Sequence, residues 1–271
     1  MGKRQMKVVI LAGGYGTRFG RLTDFLPKPM IPVGPMPLLW HLMRFYSHFG
    51  HDEFIIATGY KSELIKEFFA NLHVYSHDFT INYREDSSVP QVHFQDTHFR
   101  PKITIAYTGQ ETMTGARVKR IAPYLGNDKT FLLTYGDGLT NIDVNQLIDF
   151  HQSHGKQATL TAVFPPPKFG NLQFEDDRVT SFAEKQGNEG GMVNGGFYVF
   201  QRSVLDYLSE NPTCVLEKEP METLAARGEL MAWRHTGYWQ CMDTTRDLDS
   251  LQKAWSDGKA PWKKWSDGYH D

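Results

Sequence analysis

The run Val8-Val9-Ile10-Leu11-Ala12-Gly13-Gly14-Tyr15-Gly16-Thr17-Arg18, with Lys28 a short way behind it, decides how the chain is read. Four consecutive apolar residues, Val8 to Leu11, have the composition of a strand buried on both faces at the start of an α/β domain. The strand runs straight into Gly13, Gly14 and Gly16. Glycine there lets the backbone take positive φ and lets a ligand approach the main chain with no Cβ in the way. Successive backbone N–H groups in such a turn form an anion-binding concavity. Thr17 adds a hydroxyl donor, and Arg18 a charged fork suited to phosphate oxygens. Lys28, held between Pro27 and Pro29, carries a second cation on a stiff piece of chain. A glycine turn with two fixed cations is what a triphosphate requires.

The spacing excludes two familiar phosphate loops. Counted from Gly14, the third glycine of a dinucleotide fingerprint would fall at Phe19, and no G-x-x-x-x-G-K-[ST] occurs in the chain. A bare Gly-Gly-x-Gly after a strand also serves as an ordinary tight turn. The Thr17-Arg18 pair and the Pro-Lys-Pro triplet lift this one above that.

Working outward, 38–49 carries apolar residues at helical spacing, stopped by Gly50, and 53–58 reads as a second parallel strand. A helix follows from Ser62 to Phe69, with Glu63 in its first turn. This β-α-β-α order predicts a doubly wound sheet, whose ligands gather at the carboxyl ends of the strands. The segment 73–102 shows no period and reads as a long excursion with one or two short strands, at a subunit contact or simply solvated. Strands resume at 103–107, 131–135 and 158–164, with helices starting near Thr114 and over 144–154. From Gly170 onward strands dominate (172–174, 179–184, 193–200), which predicts an antiparallel edge over one end of the cleft. A helix over 217–227, a strand over 230–233 and a last helix over 245–255 complete the pattern. Trp255, Trp262 and Trp265 then form a tail expected to dock on the surface. With no repeat and no linker, the reading is one domain over 1–271. Its parts are a phosphate loop at 11–28, a portion at 165–243 and a terminal helix and tail at 245–271.

The 271 residues carry a formal charge of −2, so no overall basic field draws nucleic acid, and cations for an anionic substrate must be placed locally. Cys214 and Cys241 form no framework spacing and point to a reducing compartment. The basic start of the chain precedes an apolar run too short for a signal sequence, and no stretch approaches a membrane span. The expected location is cytoplasmic, with no membrane partner. His48 with His51, His73 with His77 and His151 with His154 have helical spacings but lack the H-E-x-x-H context of zinc sites.

Further stretches match in order: Leu39-Trp40-His41, Met113-Thr114-Gly115-x-Arg117, Thr134-Tyr135-Gly136-Asp137-Gly138, Asn194-Gly195-Gly196, Trp239-Gln240-x-Met242-Asp243 and Gly258-Lys259-Ala260-Pro261-Trp262-Lys263. With Leu11 to Arg18 and Pro27-Lys28-Pro29, they make the chain resemble the sugar-phosphate nucleotidylyltransferases from about Lys7 to Trp265, and within them the branch using CTP and glucose 1-phosphate. The resemblance implies a Rossmann-like, mostly parallel mixed sheet with a small antiparallel extension on the sugar side. It implies transfer of a cytidylyl group from CTP to glucose 1-phosphate with Mg2+, giving CDP-glucose and pyrophosphate. It also implies a homo-oligomer, commonly a hexamer, and a product that feeds cell-surface polysaccharide such as O antigen.

Residue roles follow on the same terms. Leu11, Ala12, Gly13, Gly14, Tyr15, Gly16, Thr17, Arg18, Lys28, Thr112, Arg117 and Gly136 fall at nucleotide positions. Arg18, on the leaving β- and γ-phosphates, Lys28, on the α-phosphate, and Asp137 are the catalytic candidates. Asp137 and Asp243 match the metal positions. By themselves, a Gly-Asp-Gly turn is as often structural, and Asp243 equally suits a cap for the helix at Thr245. An arginine at 117 suits the O2 and N3 acceptors of cytosine and opposes the N3–H of uracil or thymine. The other readings put it on ribose or phosphate, or on an exposed helix face with Lys119 and Arg120. Glu184, Lys185, Asn194 and Tyr135 are the sugar-phosphate candidates, with Trp239 as a second wall. The family has proline after that lysine, where this chain has Gln186. The rival readings are another acceptor phosphate, UTP or dTTP as donor, and a non-catalytic nucleotide-sugar sensor.

Overall fold

Alternate residues of the first strand enter two different cores. Val8, Ile10 and Ala12 join one apolar cluster and Val9 and Leu11 the other, which places β1 (Lys7–Ala12) in the middle of a sheet covered on both faces. The computed structural model describes residues 5–75, 77–84, 89–93, 99–165, 171–175, 178–183 and 191–266, without the side chains of Arg18, Arg21, Tyr75 and those at 171–175 and 179–183.

After β1 come two short antiparallel strands, β2 (Pro32–Val33) and β3 (Met36–Pro37), then α1 (Leu38–His48), β4 (Glu53–Thr58) and α2 (Ser62–Ala70). The excursion that follows holds α3 (Leu72–Tyr75) and the paired β5 (Phe79–Thr80) and β6 (Gln91–Val92). Then come β7 (Lys102–Tyr107), α4 (Thr114–Arg120), β8 (Thr130–Tyr135), β9 (Gly138–Thr140), α5 (Val144–His154) and β10 (Ala158–Val163). The hairpin β11 (Asn171–Glu175) and β12 (Arg178–Ala183) precedes β13 (Val193–Gln201), α6 (Glu219–Ala226), β14 (Leu230–His235), β15 (Trp239–Cys241) and α7 (Thr245–Ser256).

The main sheet has seven strands in the order β14-β10-β13-β8-β1-β4-β7. Strands β8, β1, β4 and β7 are mutually parallel. From β1 the chain winds outward through β4 to β7, then returns to lay β8 on the other side of β1. The gap between the carboxyl ends of β1 and β8 is therefore the switch point of the sheet, where open α/β sheets bind ligands.

One strand sits differently from the sequence reading. β13 is antiparallel as expected, but it lies inside the sheet between β10 and β8, and the edge beyond is β14, parallel to β10. The reason is burial on both faces: Phe197 and Val199 enter one core, Tyr198 and Phe200 the other. An edge strand has no use for that. The separate antiparallel element is the β11–β12 hairpin.

The tryptophan tail is not merely laid on the surface. Trp262 is fully buried in the same core as α1, and its indole Nε1–H donates to His41 Nδ1 at 3.4 Å. His41 thereby carries its proton on Nε2, which donates to the Val33 carbonyl at 2.8 Å. Trp40, Phe99 and Trp265 surround the Arg44 guanidinium at 5.0–5.5 Å from their ring centres. Among the described residues no helix is long and apolar enough to cross a membrane.

Candidate active site

The two strand ends at the switch point frame the candidate site. Beyond β1 the chain turns through Gly13 to Gly16 into 3₁₀ turns over Thr17–Asp24. Beyond β8 it reaches Gly136 and Asp137, and Gly136 N–H donates to the Leu11 carbonyl at 2.9 Å. Between them lies a cleft of about 300 Å³ lined by Leu11, Ala12, Gly13, Gly14, Gly16, Thr17, Lys28, Thr112, Thr114, Arg117, Tyr135, Gly136, Asp137 and Asp243.

The three glycines serve three different ends. Gly16 alone has positive φ, at 64°, and so turns the chain in a conformation that costs other residues energy. Gly13 is fixed by contact instead, since a Cβ there would stand 2.2 Å from Arg117 Nη1. At Gly14 a Cβ would meet no atom within 4 Å, so its bare backbone faces open space. Tyr15 does not line the cleft. Its ring lies 4.9 Å from that of Tyr60 and its hydroxyl donates to Glu111.

Arg117, read from the sequence as a nucleotide contact, also bonds the protein's own backbone, a use that reading did not include. Its Nη1 donates to the Thr58 carbonyl at 3.0 Å, Thr108 Oγ1 at 2.7 Å and the Gly109 carbonyl at 2.7 Å. Nη2 donates to the Gly13 carbonyl at 2.9 Å and the Gln110 carbonyl at 3.2 Å. It is buried at the cleft wall rather than exposed on the helix with Lys119 and Arg120, and burial pulls its pKa down. The guanidinium ties the glycine turn to the ends of β4 and β7. Thr112, also buried, accepts from Arg120 Nη1 at 2.9 Å.

Lys28, Asp137 and Asp243 meet at the floor of the cleft. Lys28 opens a 3₁₀ turn over Lys28–Met30, and its Nζ lies 2.7 Å from Asp137 Oδ2 and 2.7 Å from Asp243 Oδ1. The two acids are brought together by a small antiparallel ladder in which β9 pairs β15, Gly138 opposite Cys241. One more bond extends it, Met242 N–H to the Asp137 carbonyl at 2.8 Å. Asp243 is not the helix cap. Thr244 caps α7 in a capping box with Asp247, whose Oδ2 also accepts from Asp243 N–H at 3.0 Å. Burial alone would lower the Lys28 pKa, but the Asp137 charge, with smaller help from Cys241 and from the hydrogen bonds to Asp137 and Asp243, outweighs it and the net shift is upward.

The sequence reading missed Cys241, which lies beside this pair. Ligand atoms of Asp137, Cys241 and Asp243 all fall within 4.8 Å of one another. The thiol is pushed well up by burial and by the Asp137 charge, so it stays neutral. Its alternation with Asp243 on an extended segment was the available signal. Two carboxylates and no ionised thiol form a hard oxygen donor set, which fits a divalent ion that keeps several waters.

On the other side of Tyr135, a polar chain leaves the cleft. The Tyr135 hydroxyl meets Glu217 and, at 2.9 Å, the Tyr198 hydroxyl. Tyr198 in turn accepts from Asn194 Nδ2 at 2.5 Å. Glu217 also accepts from Thr114 Oγ1 at 2.6 Å. Glu217 was read only as a helix start, and α6 begins two residues later. Trp239 donates its indole N–H to the Gly195 carbonyl at 2.7 Å. Glu184 and Lys185 lie outside the described residues, as does the side chain of Arg18.

A family model described as nucleotidyl transferase matches residues 7–257. The chain belongs to the nucleotidyl transferase family. Within that family it is 49% identical over 261 residues to the glucose-1-phosphate cytidylyltransferase of Salmonella typhi, covering 96% of this chain and 100% of that one. A solved UDP-glucose pyrophosphorylase with UDP-glucose superposes with a TM-score of 0.64 at 16% identity, covering 94% of this chain and 100% of that one. HddC from Yersinia pseudotuberculosis gives 0.66 at 21%, covering 93% and 100%. These two likenesses concern the nucleotidyl transferase fold alone.

Proposed function

We propose that this nucleotidyl transferase moves the cytidylyl group of CTP to glucose 1-phosphate, releasing pyrophosphate and giving CDP-glucose. The observation that carries the reading is near-half identity, end to end, to an enzyme of that name.

The chemical difficulty is charge. A phosphate oxygen of the sugar 1-phosphate must approach the α-phosphorus of a polyanion, form a new P–O bond there, and expel the β-phosphoryl oxygen in line. One pair of unit charges about 4 Å apart at an effective dielectric near 20 repels by about 4 kcal/mol, and several pairs act together. Positioning and fixed positive charge therefore do most of the work. The glycine turn offers backbone N–H groups to the phosphate chain, with Gly14 leaving room for close approach. Arg18 is assigned to the leaving phosphates and Lys28 to the α-phosphate, where charge grows during the transfer. Arg117 holds the turn that does the cradling and closes the cleft wall where Thr112 and the base are assigned. Asp137 and Asp243 would hold the divalent ion, assigned as Mg2+, which when bound supplies neutralising charge to the phosphates. Tyr135, Asn194, Glu184 and Lys185 are assigned to the sugar phosphate. The proposal includes a homo-oligomer, a hexamer by family resemblance, which the exposed Phe25, Tyr83 and Val89 support; light scattering giving a monomer mass would retire that part.

The deciding experiment measures pyrophosphate release with Mg2+ across CTP, UTP and dTTP and a panel of sugar 1-phosphates. Turnover is expected with CTP and glucose 1-phosphate. A strong preference for UTP would overturn the base assignment, and no release with any pair would favour a sensor.

A further inference from the structure

The ammonium of Lys28 stands where a metal would. It spends two of its three N–H groups on one oxygen of each acid, 2.7 Å from both, and its side chain is only 11% exposed. Two prolines and a 3₁₀ turn fix its backbone, so the amine is directed here by the fold and not by a loose surface chain. The acids are equally fixed, Asp137 between glycines at the end of β8 and Asp243 by the β9–β15 ladder and the Asp247 carboxylate. A divalent ion drawing on the same two oxygens would sit about 2.1 Å from each. That puts it within about 5 Å of the ammonium, where charges of +2 and +1 repel strongly in a partly buried site. Ammonium and ion compete for one pair of acids.

We propose that Lys28 is a built-in counter-ion that bars the acidic pair to a divalent ion until a nucleotide arrives. This rests on the reading of Asp137 and Asp243 as the metal-holding pair. The phosphate chain gives the ammonium a new partner inside the same cleft. The acids released by that exchange take the ion, so metal is loaded with the nucleotide and not before it. Lys28 thus has two anionic stations, the carboxylates in the resting protein and the phosphates in the loaded one. Breaking a lysine–carboxylate contact while making a lysine–phosphate contact keeps every charge paired through the exchange.

Binding of Mn2+ to the nucleotide-free protein, followed by the paramagnetic signal of the free ion, tests this without any turnover. Wild type is expected to bind weakly, and Lys28→Met about tenfold more tightly. The gain should persist in about 0.5 M KCl, where the effect of a merely distant charge is screened. Adding Asp137→Asn to Lys28→Met should abolish it. Equal affinity in wild type and Lys28→Met, or a gain that disappears in salt, would overturn the exchange. Should Asp137→Asn leave Mn2+ binding unchanged both in Lys28→Met and in wild type with an unreactive CTP analogue, the metal-site reading itself falls instead. Lys28→Gln, with its fold checked by circular dichroism, repeats the comparison if the methionine variant is poorly folded.

Discussion

At the scale of single residues, two substitutions probe different contacts in the cleft. Lys28→Ala removes the positive charge assigned to the α-phosphate, and a loss of about 10²- to 10³-fold in kcat is expected, by analogy with removing one oxyanion donor. A variant that folds and keeps full turnover would refute that assignment. Gly13→Ala sets a methyl against the Arg117 guanidinium, 2.2 Å from Nη1. Overpacking of this kind costs about 1–3 kcal/mol. The expected result is a lower melting temperature and a raised KM for the nucleotide, because the displaced group is the one that holds the turn. Unchanged KM would mean the turn does not need that clamp. Glycines, lysine and acids were legible because each residue type has a chemical use at its spacing. The clamp made by Arg117 was not. The pattern put this arginine at a nucleotide position, and nothing in it showed that the Thr58 carbonyl at the end of β4, the Gly109 and Gln110 carbonyls after β7 and the Gly13 carbonyl would accept from its guanidinium.

Among the elements, α7 is bound to the site through its first turn. Thr244 Oγ1 accepts from Asp247 N–H at 3.3 Å, while Asp247 Oδ2 accepts from Thr244 N–H at 2.8 Å. Thr244→Ala is expected to cost about 1 kcal/mol, read as a fall of about 2–4 °C in melting temperature. No fall would show that the box adds nothing to stability. The winding β1-α1-β4-α2 could be read from apolar periodicity and helix stops, and the described segments follow it closely. Strand order could not be read to the same depth. β13 has the same kind of apolar run whether it closes an edge or splits the sheet, and only the simultaneous burial of Tyr198 and Val199 in opposite cores decides for the interior. The β9–β15 ladder was equally silent, since each strand has only three residues and the two lie far apart in the chain.

For the whole molecule, pH tests the burial of two histidines. His41 is held neutral by burial with its pKa lowered to about 4, and His151, beside His154, is lowered to about 4 as well, both from 6.5. Between those values the unfolded chain takes up protons that the folded one refuses. Stability is therefore full above about pH 6.5 and falls as pH drops toward 4, by about 2 kcal/mol per histidine at pH 5. Urea unfolding at pH 7.5 and 5 should show the drop, and His41→Gln should shrink it. A midpoint that stays level across that range in the wild type would contradict the burial. The tail is tested at the same scale. Trp262 is fully buried, so Trp262→Ala is expected to cost about 3–5 kcal/mol, seen as a lower denaturant midpoint; loss of only the C-terminal helix signal would mean the tail unfolds by itself. That burial escaped the sequence reading because a tryptophan near the end of a chain gives no sign of what it packs against. The ladder carries one more implication, about manufacture. Asp243 comes long after Asp137 in the chain, so the pair forms only once the segment between them has been made. A copy whose synthesis has passed Asp137 but not Asp243, or one truncated between them, owns the cradle and one acid without the other. On the proposed reading such copies hold no ion and stay silent.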